Sequence, residues 1–579
     1  MKLTHCFSIP LVSLALSLPA NIVLAEIAGT VLRGGSIYTV DSARSRAESV
    51  AIKGGEIVFV GSDRAVVDYI GQDTTVIELQ GKMVLPGFHD SHIHPVSGML
   101  ASQTCNLRGL KGLAAYLQKI AQCDTEDPGS EWLVGTGWSY ANFGDDIRPD
   151  KKQLDNITSN RPVAFTSYDG HSVWVNSRAI ELSGISAETL DPPSGMIQRY
   201  PASREPSGLF VEKPAMELIY QAMPDVGNRQ RFAALMEAQR YLNSLGITAI
   251  QDAWVEVDNT GVYGNIPVYQ KAVRDNRLNL RVTAALYWQP DGEADQLQQM
   301  LTSRKANEKG LFRASTVKIW QDGVMHTHTA KLLEEYMDRP GDKGMSYYSQ
   351  EQLNHIVTAL DREGFQIHIH ADGDGALRES LDAFEVALKK NGRRDSRHHI
   401  AHLELVHPGD IPRLRQLGVI ANVQPMWSTS RDYVSDLIEV KLGKSRSPYM
   451  ETNKRFLKNG VTVAYGSDWP VTSANPMDLI EAAVTRIRPA LPLEEKRRLT
   501  PLLPGEEVTV ADAIASYTIN GAYANHQEDL TGSLEVGKRA DIIVLDQNLF
   551  EIDPHRISDT RVTMTFFDGR LVYHRLPDH

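Results

Sequence analysis

The chain has 579 residues with a formal net charge of −12, and 42% of its residues are hydrophobic. A net negative charge excludes the basic class of proteins that bind nucleic acid through its phosphates. The length allows about two to four domains, although one (β/α)8 barrel alone takes about 250 residues, and we find no low-complexity tract and no solenoid repeat.

The first 25 residues predict a secretory signal peptide. An apolar stretch from Phe7 to Leu24 follows Lys2 and ends at Ala25, as such leaders do. Because Pro10 and Pro19 interrupt the stretch, which barely reaches the ~18 to 20 apolar residues of a spanning helix, an uncleaved membrane anchor is only the alternative. We expect cleavage after Ala25 and a soluble mature protein, secreted or periplasmic, with no membrane partner.

The two cysteines beyond residue 25 predict a disulfide. Cys105 and Cys123 flank a helical segment from Gly109 to Ala121, and a cysteine pair in an oxidising compartment favours a bridge. Two unrelated buried thiols are the alternative.

Short strands with glycine turns mark both ends of the chain. Residues 29–40, 49–61 and 75–79 alternate between apolar and polar side chains, and residues 532–546 and 562–573 resemble them. Alternation bounded by glycine indicates β-sheet. We therefore predict a small β-sandwich domain built from residues 26–82 together with residues 506–579, which also contain the last barrel helix.

Between these ends, strand-like apolar runs alternate with helical segments, which is typical of an α/β fold with a parallel sheet. The runs are Met83–Pro86, Thr248–Gln251, Arg281–Tyr287, Thr316–Trp320, Gln366–His370, His399–His402, Val419–Val423 and Val461–Gly466. Eight runs predict a (β/α)8 TIM-like barrel over residues 83–505. Since the first two runs are too far apart for one crossover, residues 98–235 are predicted to be a large insertion, whose aromatic residues form either its own core or a substrate lid.

Five of the eight runs end in or next to residues that can bind a metal. All strand carboxyl ends of a parallel barrel open on one face, where active sites lie. His92 and His94 are two apart on an extended segment, so both rings point to the same side and can hold one ion. Taken singly, Lys318, His370, His402 and Asp468 would fit a packing role, but together at one face they predict a metal site.

Three segments of the chain resemble the amidohydrolase superfamily, in particular the amidohydrolase-3 group, which includes YtcJ-like proteins and N-substituted formamide deformylase. They are the His92-x-His94 pair, the His-Ala-x-Gly-Asp segment from His370, and the Gly-Ser-Asp-x-Pro-Val segment from Gly466. The resemblance extends from about residue 30 to the carboxyl terminus. It implies ligands on the first, fourth, fifth, sixth and eighth strands: His92, His94, Lys318, His370, His402 and Asp468.

The remaining histidines are predicted to have different roles. The segment from Ser167 to Asn176 resembles an insertion motif of the same group, which implies that His171 reaches from the insertion into the cleft as a catalytic residue. His368 is expected to face away from the barrel interior or to lie deeper, as a structural residue, and His89, His398 and His399 are also taken as structural. His326 and His328 either line the substrate pocket or are exposed.

Zinc suits this set of ligands, because imidazole nitrogen and carboxylate oxygen are borderline donors, although other divalent metals such as manganese or iron stay open. One or two ions bind, depending on whether Lys318 is a neutral amine or a carboxylated lysine that bridges two ions. A bound ion lowers the pKa of its water from ~16 toward ~7 and polarises the substrate carbonyl. Asp468 is expected to act as general acid and base.

The resemblance implies a metal-dependent hydrolase of carbon–nitrogen bonds in small-molecule, amide-type substrates. An esterase or lactonase of the same fold and a non-catalytic secreted protein that binds a metal or ligand are the alternatives. Loss of a ligand would favour the non-catalytic alternative, but all six ligand positions are filled. The substrate and homodimer formation are left open.

Overall fold

The computed structural model describes residues 26–143, 148–258, 261–290, 292, 295–429 and 439–576. The predicted signal peptide, residues 1–25, therefore lies outside the described residues. Within the described ranges, none of the helices is both long enough and apolar enough to cross a membrane.

Two sheets at the chain ends pack against each other. The first consists of Thr30–Arg33, Ser49–Lys53, Glu56–Gly61 and Thr75–Glu78. The second consists of Ser36–Tyr38, Arg46–Ala47, Met83–Pro86, Ile542–Leu545, Val562–Phe567 and Arg570–His574. Leu32 and Ile52 from the first sheet share a buried apolar cluster with Val84 and Val544 from the second, so both termini contribute to one sandwich.

Met83–Pro86 belongs to this sandwich and is not the first barrel strand that the sequence predicted. It pairs antiparallel with Ile542–Leu545. The chain enters the barrel after Gly87, where an added Cβ would lie 2.2 Å from Thr248 Oγ1. A larger residue would push the first barrel strand away from the second at this point.

The barrel sheet contains eight strands, and every neighbouring pair that is hydrogen-bonded runs parallel. In chain order they are Phe88–Ile93, Ile247–Val255, Arg281–Tyr287, Phe312–Trp320, Gln366–Ala371, His399–His402, Ile420–Val423 and Val463–Tyr465. Beyond the eighth strand, Asp468 N donates to His92 O over 2.7 Å, and Ser467 N donates to Asp90 Oδ1 over 3.0 Å. These bonds nearly close the sheet, and the predicted TIM-like barrel is confirmed.

The α-helices of the described residues belong to the barrel, to the insertion and, for Asp63–Val66, to the first sheet of the sandwich. In chain order they are Asp63–Val66, Pro95–Ser102, Leu113–Glu126, Lys151–Asp155, Ser177–Leu182, Lys213–Tyr220, Asn228–Ser244, Ile266–Arg274, Gln296–Ala306, Gln350–Arg362, Asp374–Asn391, Ile411–Leu417, Glu439–Leu442, Asn453–Lys458, Pro476–Thr485, Leu493–Lys496, Val510–Ser516 and Ile519–Ala524.

A third sheet is formed by residues that follow helix Pro95–Ser102 and precede helix Asn228–Ser244 in the chain, within the segment that the sequence predicted as an insertion. Its strands are Cys105–Asn106, Leu133–Trp138, Val163–Ser167, Ser172–Val175, Met196–Arg199 and Pro206–Val211. Trp138 and Trp174 are fully buried in the apolar cluster of this sheet. These two tryptophans therefore form the core of the insertion and not a lid.

The predicted disulfide is present between Cys105 and Cys123, whose sequence separation is 18. It ties the first strand of the insertion to helix Leu113–Glu126. Removing both sulfurs in a Cys105→Ala, Cys123→Ala double variant is expected to lower the free energy of unfolding by about 3 kcal/mol, because the bridge restricts the unfolded chain. Denaturant unfolding of oxidised wild type and the variant measures this loss. Two free thiols in unreduced, denatured wild type would contradict the bridge.

Candidate active site

His92, His94 and Asp468 come together at the carboxyl end of the barrel. His92 lies near the end of the first strand, and His94 immediately precedes helix Pro95–Ser102. The Nε2 atoms of His92 and His94 lie 3.5 and 3.2 Å from Asp468 Oδ1. The ligand atoms of all three residues lie within 4.8 Å of one another. Two imidazole nitrogens around one carboxylate oxygen fit a zinc ion by the chemistry of the donors.

The backbone holds Asp468 against the first strand. A Cβ on Gly466 would lie 2.5 Å from His92 Cβ, so only glycine allows the eighth strand to approach this closely. Asp468 has a φ of +52° and His402 a φ of +79°, which for residues with a side chain costs on the order of 1 to 3 kcal/mol. Such strain is typical of functional positions, where the surrounding structure imposes the conformation.

His370 and His402 adjoin this group from the fifth and sixth strands. The ring of His402 lies 4.8 Å from that of His92 and 4.4 Å from that of His370, between centroids. Burial lowers the pKa of His402 to about 3, which keeps the ring neutral, as a metal ligand must be. Both histidines are therefore placed next to the three-residue group.

Each of these two rings is held at its Nδ1 atom and on one face. His370 Nδ1 lies 3.2 Å from Asp322 Oδ1, and His402 Nδ1 lies 3.0 Å from Gln424 Oε1. Trp320 stacks on His370 at 4.5 Å, and Trp427 stacks on His402 at 5.0 Å. With Nδ1 engaged, Nε2 is the atom available for an ion.

Lys318 lies on the fourth strand and is only 1% exposed. Burial lowers the pKa of its amine to about 7, while the negative charges of Asp468 and Asp372 work in the opposite direction. A substantial fraction is thus uncharged at neutral pH, and an uncharged amine does not repel an ion.

His171 reaches the barrel from the insertion. Its ring centroid lies 5.1 Å from that of Trp320 and 5.6 Å from that of His370. Its Nδ1 lies 3.0 Å from Glu212 Oε2. Burial, the largest influence, lowers the pKa of His171, but Glu212 raises it by charge and hydrogen bonding, with Asp169 and Asp468 adding to this, so that the pKa lies above its ordinary value.

Glu212 also binds the barrel side of the cleft. Thr329 Oγ1 donates to Glu212 Oε1 over 2.6 Å, and the hydroxyl of Tyr347 donates to Oε2 over 3.2 Å. Glu212 is 1% exposed. Since both donors belong to the segment after the fourth strand, one carboxylate connects the insertion, His171 and the barrel.

The sequence left His326 and His328 either in the pocket or exposed, and both side chains are buried. His326 Nε2 lies 2.7 Å from Asp169 Oδ2, an insertion residue two positions before His171. His328 Nε2 lies 2.8 Å from both Asp338 Oδ2 and Lys441 Nζ. His326 therefore belongs to the contact between insertion and barrel, and His328 to a separate polar cluster.

The comparison with protein families decides what kind of protein this is. The family model described as "Amidohydrolase family" matches residues 75–573, which is most of the chain. The chain belongs to the amidohydrolase family. The matched range includes the insertion, all eight barrel strands and the sandwich strands from Thr75 onward, but not the sandwich strands between Thr30 and Gly61.

Relatives of this amidohydrolase cover nearly its whole length. Protein LONG AFTER FAR-RED 3 of Arabidopsis thaliana is 30% identical, with 96% of this chain and 93% of the relative covered. N-substituted formamide deformylase of Arthrobacter pascens is 26% identical, with 95% and 99% covered. A crystal structure of an uncharacterized metal-dependent hydrolase from Pyrococcus furiosus has a TM-score of 0.67 and 25% identity, with 91% of this chain and 99% of that chain covered.

Several residues around the site of this amidohydrolase escaped the sequence reasoning. Asp322 accepts from Lys331 N, Asp372 N and Gly373 N and contacts His370. It lies in the same strand-end segment as Lys318, so the motif could have indicated it. Glu212 has no local motif, because its partner His171 is 41 residues away.

Proposed function

We propose that this amidohydrolase cleaves an amide-type carbon–nitrogen bond, other than a peptide bond, in a small molecule with the help of a bound divalent ion. The convergence of His92 Nε2 and His94 Nε2 on Asp468 Oδ1 carries this proposal. The relative from Arthrobacter pascens is named for the hydrolysis of N-substituted formamides, which supports an amide as the substrate class.

We further propose that zinc is the ion, held by His92, His94 and Asp468. His370, His402 and a carboxylated Lys318 would complete a second position in a two-ion site. With Lys318 as a neutral amine, the site would hold a single ion. When bound, the ion supplies an acidified water and polarises the carbonyl of the substrate.

Asp468 supplies the proton chemistry. Its carboxylate accepts a proton from the attacking water and returns it to the nitrogen of the leaving amine, as a general base and then a general acid. His171, whose pKa lies above its ordinary value because Glu212 and the other nearby carboxylates outweigh the effect of burial, would donate from Nε2 to the substrate carbonyl oxygen, where negative charge develops. The insertion would thus contribute one hydrogen-bond donor to a site otherwise built on the barrel.

The proposal for the compartment is secretion or export to a periplasm after cleavage at Ala25. The disulfide between Cys105 and Cys123 supports an oxidising compartment, since such bonds are rare in the cytosol.

A substrate panel with and without metal tests this function. Mature protein purified without chelators is expected to contain zinc or a similar divalent ion, one equivalent per chain with an unmodified Lys318 and two with its carbamate. It should hydrolyse at least one compound among N-acyl, N-formyl and cyclic amides, lose activity on chelation, and recover it with zinc. Faster turnover of esters or lactones than of every amide would overturn the bond assignment. Less than about a tenth of an equivalent of metal after loading would overturn the metal centre.

A further inference from the structure

Beneath the proposed metal centre, a chain of buried polar side chains runs down the barrel interior from His92. His92 Nδ1 lies 3.0 Å from His368 Nε2, and His368 Nδ1 lies 2.7 Å from Gln251 Oε1. His92 is 1% exposed, and His368 and Gln251 are fully buried. Because His368 and His370 are two apart on one strand, their side chains share the interior face, and His368 lies one layer below the cleft.

The lower end of this series of hydrogen-bonded side chains contacts two backbone carbonyls, which can accept a hydrogen bond but cannot donate one. Gln366 Nε2 donates to Arg397 O over 2.7 Å and to Ala524 O over 2.6 Å. The amide nitrogen of Gln366 must therefore face these carbonyls, and its Oε1 must face the barrel interior. Thr316 Oγ1 donates to this oxygen over 2.7 Å, which agrees with that orientation.

The orientation of Gln366 determines that of Gln251. Gln251 Nε2 lies 3.3 Å from Gln366 Oε1 and 3.1 Å from Asn525 Oδ1. Since Gln366 Oε1 can only accept, Gln251 must turn its nitrogen toward it. Gln251 Oε1 then points at His368 Nδ1, and this ring nitrogen must carry a proton.

The proton on His368 Nδ1 in turn determines the tautomer of His92. The two hydrogen-bond partners of His368 are an amide and an imidazole, neither of which compensates a buried positive charge, so the ring is neutral. Its Nε2 is then a lone-pair acceptor, and the proton of the 3.0 Å bond belongs to His92 Nδ1. The remaining lone pair of His92 is on Nε2, the atom that lies 3.5 Å from Asp468 Oδ1.

We propose that His368 is a positioning residue that fixes the Nδ1-protonated tautomer of His92, and that Gln366 and Gln251 impose this state from two backbone carbonyls at the opposite end of the barrel. His370 and His402 use a carboxylate and an amide for the same purpose, so His92 is the one of the three that uses another imidazole. The inference rests on the proposed metal centre, because it assigns Nε2 of His92 to an ion.

Three single variants test the role of His368 through the affinity for zinc. In His368→Leu, His92 Nδ1 loses its acceptor, and the dissociation constant for zinc is expected to rise by about 10- to 100-fold. In His368→Gln, the amide oxygen and nitrogen can replace the two ring nitrogens, and the affinity should return close to that of wild type. His89→Leu is the matched control, because His89 is equally buried on the first strand but contacts Thr531.

Competition for zinc between the mature protein and a chromophoric chelator measures these affinities. Circular dichroism shows whether each variant is folded. The visible absorption of the cobalt-loaded proteins gives a second readout, which should change in His368→Leu and not in His368→Gln or His89→Leu. Wild-type affinity in His368→Leu, an equal loss in His89→Leu, or no recovery in His368→Gln would each overturn the inference. A wild type that binds no zinc would instead overturn the metal centre itself.

A double-mutant cycle tests whether Gln251 acts through His368. Gln251→Leu is expected to weaken zinc binding although Gln251 hydrogen-bonds to His368 and not to a proposed ligand. When His368 is already leucine, the same change should have no further effect on zinc affinity, because coupled residues are not additive. Additive losses of zinc affinity in the double variant would overturn the inference that Gln251 acts through His368.

Discussion

Asp468→Asn is expected to keep most of its metal and to lose catalysis. Asparagine retains the size and one oxygen of aspartate, but it cannot accept a proton at neutral pH. We expect kcat to fall by about 10²- to 10⁴-fold or more, the usual worth of general acid–base catalysis. The measurement is kcat on the best substrate of the panel, together with elemental analysis of the same sample.

His92→Ala provides the comparison for Asp468→Asn, because it removes a proposed ligand nitrogen and not the proposed proton acceptor. It should lose metal and activity together. If Asp468→Asn with full metal content turned over the substrate within about threefold of wild type, Asp468 would not be the general base.

His171→Phe should lower kcat/KM by about 10²- to 10³-fold, the range seen when one donor to a developing oxyanion is removed. Its metal content should not change, because His171 is outside the group formed by His92, His94 and Asp468. Glu212→Gln should give a smaller loss, since the amide oxygen still accepts from His171 Nδ1 but no longer carries the charge that favours its protonation. Steady-state kinetics on zinc-loaded protein measures both.

The control for His171→Phe is another buried imidazole–carboxylate pair. His398 Nε2 lies 3.2 Å from Asp361 Oδ1, next to the start of the sixth strand and away from the cleft. His398→Phe should therefore reduce stability without a comparable effect on kcat/KM. A folded, metal-loaded His171→Phe with nearly wild-type kcat/KM, or an equal loss in His398→Phe, would show that His171 has no specific role.

The sequence predicted the barrel, and it predicted a site at the carboxyl ends of the barrel strands because metal-binding residues recur there. Lys318, His370, His402 and Asp468 are far apart along the chain, yet a parallel barrel brings all strand carboxyl ends to one face. Hydrophobicity could not separate the last strand of the sandwich from the first of the barrel. Met83–Pro86 is as apolar as a barrel strand, and only its pairing with Ile542–Leu545 assigns it.

Side-chain partners across the fold could not be predicted. His368 was expected to be a structural residue, either facing outward or lying deeper, and its contact with His92 depends on two strands 276 residues apart in sequence. The bond from Thr329 to Glu212 spans 117 residues. Such pairs have no local pattern, because they follow from the docking of the insertion and not from any periodicity within it.

The insertion has its own apolar core and its own disulfide. It contributes His171 and Glu212 to the cleft, but none of the six predicted metal ligands. Substitutions in the insertion can therefore change the cleft around His171 without altering any of the six proposed ligand positions on the barrel. The contact between the insertion and the barrel restricts such substitutions, because Thr329 and Tyr347 on the barrel side both donate to the carboxylate of Glu212. New specificities in this lineage should accordingly arise by remodelling around His171 and Glu212 more readily than by deleting them.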